Sequence, residues 1–66
     1  MNITINGEPK TIDGTMSVHQ LLEHLGHAGQ RLAVELNGEI VPKSQHSITN
    51  VKEGDVIEIV IAVGGG

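Results

Sequence analysis

Residues 56–66 read VIEIVIAVGGG, and the fold turns on how the first eight of them sit. Val56 to Val63 form the most apolar and β-branched run of the chain, broken by one charge at Glu58. Such residues fit a pleated, buried surface, so the run predicts a central strand. Alternation divides it: Ile57, Ile59, Ile61 and Val63 make a wholly apolar face, while Glu58 marks Val56, Val60 and Ala62 as the side nearer solvent. A central strand needs partners on both edges and a cover for its apolar face. The rest of the chain has to supply both.

Upstream, Ile3 and Ile5 alternate with Asn2, Thr4 and Asn6, the period of a half-buried strand. Asn6-Gly7 tolerates the positive φ of a tight hairpin, and a return strand is expected over Lys10 to Ile12. Pro9 cannot donate to a ladder, which places that strand at an edge, and Asp13-Gly14 closes it as a second turn. The period then changes in MSVHQLLEHLG, residues 16–26. Ser17 with Gln20 forms a capping box, Met16 and Leu21 have the spacing of a hydrophobic staple, and Val18, Leu21, Leu22 and Leu25 form one apolar helical stripe that Gly26 ends.

Leu32, Val34 and Leu36 restore alternation, with Ala33, Glu35 and Asn37 on the opposite face. Asn37-Gly38 signals another hairpin into a short strand at Glu39 to Val41, which Pro42 ends. The polar stretch KSQHSITN, residues 43–50, predicts a loop with at most one irregular helical turn, and residues 52–55, KEGD, predict a turn. The first and last strands can pair in parallel only through a long crossover, which the helix provides. The expectation is an α+β roll: a mixed four- or five-stranded sheet with one helix on one face. Its core would comprise Ile3, Ile5, Ile12, Val34, Leu36 and the Ile57 face from the sheet, with Val18, Leu21, Leu22 and Leu25 from the helix.

Sixty-six residues allow one domain, read as residues 1–63 with a glycine tail at 64–66. A chain of this size buries only about 60% of its unfolded surface. There is no cysteine, so neither a disulfide nor a thiolate metal site is available. The net charge of −4, the scattering of Lys10, Arg31, Lys43 and Lys52, and the absence of Phe, Tyr and Trp argue against a nucleic-acid partner. The start MNITINGEPK lacks the pattern of a secretory signal, and the longest apolar run is too short to span a bilayer. A cytoplasmic protein with no membrane association is expected.

Little in the body suggests catalysis. His24 and His27 stand three apart across a helix end and His19 falls too far round to complete a ligand set, so they read as solvated surface histidines. Ser44, His46, Ser47 and Thr49 form no motif, and the one glycine cluster opens no helix as a phosphate loop would. Attention passes to the tail, whose distinctive group is the α-carboxylate of Gly66. Gly64, Gly65 and Gly66, extended, would reach roughly 10 Å past the last strand, without a Cβ to obstruct a narrow channel. Val60 and Ala62, with Ala33 beside them, would form a small apolar docking face where the tail departs.

The opening MNITINGE, the helix start SVHQLL, the segment LAVELNGEIVP and the end EGDVIEIVIAVGGG together resemble the β-grasp, ubiquitin-like sulfur carriers, most closely the ThiS family of thiamine biosynthesis. The resemblance spans the whole chain. It implies a carrier and not an enzyme: Gly66 is adenylated by a ThiF-like adenylyltransferase using ATP and Mg²⁺, with no cofactor held stably by the chain itself. A sulfur donor protein then converts the adenylate to a thiocarboxylate, which delivers sulfur to a ThiG-like thiazole synthase. Two other readings use the same terminus, a carrier like the molybdopterin synthase small subunit and a ubiquitin-like protein modifier. A third is a plain interaction domain with an inert tail.

Overall fold

The structure, a computed structural model, describes residues 1–62; the expectations placed on Val63, Gly64, Gly65 and Gly66 lie outside the described residues. The elements in chain order are β1 (Asn2–Ile5), β2 (Glu8–Thr11), β3 (Met16–Ser17), α1 (Val18–His24), β4 (Leu32–Leu36), β5 (Glu39–Val41), a 3₁₀ turn (Lys43–Gln45), β6 (Asn50–Val51) and β7 (Val56–Ile61). Five strands form one mixed sheet in the order β2-β1-β7-β4-β5, and β3 pairs with β6 in a two-stranded sheet. The run that opened the sequence is the central strand, parallel to β1 and antiparallel to β4. The fold is the expected α+β roll.

Both hairpins are two-residue turns of mirror-image type, with φ of 51° and 81° at Asn6 and Gly7, and 52° and 86° at Asn37 and Gly38. β2 takes the edge position that Pro9 requires. It begins at Glu8, earlier than Lys10, because the tight turn pairs Ile5 directly with Glu8. Ile12 lies just past the strand, buried, with its N–H donating to the Met1 carbonyl at 2.8 Å.

The helix starts and stops as the sequence directs. Ser17 Oγ accepts from the Gln20 N–H at 3.1 Å, and Gln20 Oε1 accepts from the Ser17 N–H at 2.9 Å. At the other end Gly26, with φ of 80°, lets its own N–H reach the Glu23 carbonyl and the His27 N–H reach that of Leu22, the two bonds of a Schellman cap.

What the sequence does not announce is that the polar stretch after β5 closes the helix start. Val18 N–H donates to the Thr49 carbonyl at 2.8 Å and His19 N–H to that of His46 at 2.9 Å, so donors left open at a helix N-terminus are satisfied by a distant loop. The β3–β6 pairing, Met16 with Val51 and Ser17 with Asn50, fastens the same junction.

The core holds Ile3, Ile5, Ile12, Val18, Leu21, Leu22, Val34, Val41, Val51, Ile57 and Ile59, with Leu25, Leu32, Leu36 and Met16 partly buried against it. Val51 and Val41 were not expected there. One expected member is absent: Ile61 is 40% exposed. Its parity is that of Ile57 and Ile59, but β1 pairs with β7 only through Thr4–Val56 and Ile5–Ile57. β7 outruns its neighbour, and its last residues leave the covered part of the sheet.

Candidate functional site

The site begins where β7 runs past β1. β4 stays with it, placing Leu32 opposite Ile61, Ala33 opposite Val60, Val34 opposite Ile59 and Glu35 opposite Glu58. On the other edge β1 turns away at Asn6, whose side chain supplies one more rung: Ile59 N–H donates to Asn6 Oδ1 at 2.7 Å, and Asn6 Nδ2 donates to the Ile59 carbonyl at 3.2 Å. Past that rung the β1-side edge of β7 has no paired strand among the described residues. The Ala62 N–H donates to the Arg31 carbonyl at 2.8 Å, so β4 continues to hold the chain up to the last described residue.

Asn37 does for the start of β7 what Asn6 does for its middle. Its N–H donates to the Val56 carbonyl at 2.7 Å, its Oδ1 accepts from the Val56 N–H at 2.9 Å, and its Nδ2 donates to Asp55 Oδ1 at 3.0 Å. Two asparagines chosen by their turns thus grip the central strand from either side. The sequence marks both as turn formers and as polar ends of their strands' alternation; their position at the mouth of a hairpin beside a central strand is the signal for the clamp.

The three residues expected to form a docking face are all exposed, and the register brings Ala33 directly across from Val60, which is 64% exposed. Ala62 follows Val60 two residues on. The open face extends further than the sequence indicated, because Ile40, 69% exposed, lies opposite Glu35. The Glu35 and Glu58 carboxylate side chains therefore sit on neighbouring strands with apolar residues on either side. Like charges so placed repel, and only solvent or a bound cation relieves them.

The histidines separate into different roles. His19 stands one helical turn from Glu23, with Nε2 3.7 Å from Oε1. His27 Nδ1 lies 2.9 Å from Gln30 Oε1, and since an amide oxygen only accepts, Nδ1 carries the proton. His46, read from sequence only as a loop residue outside any motif, is buried; its Nε2 donates to the Val41 carbonyl at 3.0 Å and ties the loop to β5. Among the described residues no group of three or more His, Cys, Asp or Glu is arranged to hold a metal ion, and no helix is long and apolar enough to cross a membrane.

The ThiS family model matches residues 3–66. The chain is similar to the sulfur carrier protein ThiS of Escherichia coli, 32% identical over 66 residues that are 100% of each protein. A thiazole synthase of Paramagnetospirillum magneticum is 46% identical over 66 residues, all of this chain and 20% of that protein, so the chain spans a fifth of that relative's length. Among solved structures, the crystal structure of a thiamine biosynthesis protein (ThiS) from Geobacter metallireducens matches with a TM-score of 0.87 and 42% identity, covering 100% of both chains.

Proposed function

The chain belongs to the ThiS family, and from that premise we propose that it is a sulfur carrier of thiamine biosynthesis, a co-substrate of partner enzymes and not itself an enzyme. The observation that carries this reading is the family match over residues 3–66, which runs to the last glycine. With Gly66 as the terminus of the acting chain, its carboxylate oxygen attacks the α-phosphorus of ATP, held with Mg²⁺ by a ThiF-like adenylyltransferase. Pyrophosphate leaves and an acyl-adenylate forms. Hydrosulfide released by a donor protein then attacks the carbonyl carbon, its C–S bond replacing the C–O bond to AMP; AMP and a proton depart, and the thiocarboxylate carries sulfur onward.

A thiazole synthase of the ThiG type is the proposed recipient. In support, a segment resembling this whole chain lies within proteins named thiazole synthase, two of them at 46% and 36% identity. The exposed Ala33–Val60–Ala62 face stands beside the point where residues 63–66 follow, which suits a partner that takes up the tail and grips its base. Gly64 and Gly65 would then thread the partner's channel.

Intact-mass spectrometry tests the proposal. Incubation with ATP, Mg²⁺, the adenylyltransferase and a sulfur source should give a mass ending at Gly66 in which one oxygen is exchanged for sulfur. If the exchange persists in a chain lacking Gly66, or fails with partners that load another ThiS protein, the reading is wrong. In the same assay Val60→Arg should slow loading while leaving the folded spectrum unchanged.

A further inference from the structure

Away from the sheet's open face, a cavity of about 340 Å³ lies between the helix, the turn after it, the start of β4 and the 3₁₀ turn. It is lined by His19, Leu22, His27, Arg31, Leu32, Lys43 and His46, together with the turn backbone at residues 28–30. Two of the four Lys and Arg residues of the chain and three of its four histidines meet there, and none of its eight Asp and Glu residues lines it. In a protein of net charge −4 this is a local reversal of sign. A cleft of one charge between low-dielectric walls focuses the field it creates.

Among the described residues, Arg31 and Lys43 are not spent on ion pairs: neither has a carboxylate within ion-pairing distance; of the lining residues His19 has one, exposed Glu23 at 3.7 Å. The N–H groups of Ala28 and Gly29 likewise donate to no acceptor among the described residues, and both residues are exposed at the cavity. Beneath this polar rim lies an apolar floor: Leu22 is buried and Leu32 partly so. The volume falls within the range of small-molecule sites, which pair apolar walls with a few placed polar groups.

We propose that this cavity is a binding site for a small organic phosphate, its anion held by Arg31, Lys43 and the free amides and its compact apolar body resting on Leu22 and Leu32. Arg31 supplies a planar fork suited to phosphate oxygens, and Lys43 a point charge. The proposal is independent of the tail chemistry. It does touch the tail's base, since the Arg31 carbonyl is what holds Ala62.

Titration of the ¹⁵N-labelled full chain with phenyl phosphate, read by amide chemical shifts, tests it, with inorganic phosphate and phenol as separate arms. Saturable shifts are expected at His27, Ala28, Gly29, Gln30, Arg31 and Lys43, with phenyl phosphate binding more tightly than phosphate and phenol producing none. The double variant Arg31→Gln/Lys43→Gln should weaken binding about tenfold or more, as charge-assisted bonds are lost. The double variant Lys10→Gln/Lys52→Gln changes net charge equally and should bind as the parent does. Absence of saturation by about 10 mM, equal weakening in both double variants, or phosphate as tight as phenyl phosphate would each overturn the proposal.

Discussion

Asn6 stands 53 residues from Ile59 in the chain and makes two hydrogen bonds to its backbone. The residue has two separable duties, holding a left-handed turn at φ 51° and extending the β1–β7 ladder by one rung. Asn6→Gly keeps the first and loses the second, which should cost about 1–2 kcal/mol, near 1 kcal/mol per hydrogen bond. Asn6→Ala loses both and should cost about 2–3 kcal/mol, since a left-handed conformation adds about 1 kcal/mol for alanine. Urea denaturation of the two variants separates the terms; equal costs would show that the clamp contributes and the turn does not. The turn was legible in the dipeptide Asn6-Gly7, because positive φ is a local demand. The clamp was not, because nothing near Asn6 in sequence says which strand will lie beside it.

At the scale of the elements, β4 and β7 carry the instructive conflict. Their register is set by apolar Val34, Leu36, Ile57 and Ile59 reaching one core, and that register leaves Glu35 facing Glu58 across the open face. A one-residue slip would relieve the charges but turn the core outward, so burial decides. Glu58→Gln should therefore stabilise the fold, by about 0.2–1 kcal/mol, the size of a cross-strand pair interaction. The gain should shrink in high salt as the repulsion is screened; a gain that ignores salt would assign the effect to something other than charge. The alternation that defines both faces was plain in the sequence. That Ile40 joins the open face, and that β6 pairs with β3 to bury Val51, required pairings between segments too short to show any period of their own.

For the molecule as a whole, the described residues already contain a closed core, with its last buried member at Ile59. Removing Gly64, Gly65 and Gly66 should leave the urea midpoint unchanged and abolish sulfur loading, separating the fold from the function proposed for the tail. A shifted midpoint would mean that the tail contributes to the fold. The sequence by itself determined the order of the helix and the five strands of the main sheet, both hairpins, both helix ends and most of the apolar set that makes the core, since each rests on local periodicity or on the φ that Asn and Gly permit. Only the tertiary structure decided how far β7 outruns β1, which exposes Ile61 and sets Val60 against Ala33 at the tail's base. It alone also buried His46 and gathered Arg31, Lys43 and three histidines around one cavity. These outcomes depend on the relative lengths and registers of strands brought together from opposite ends of the chain, and no local pattern encodes them.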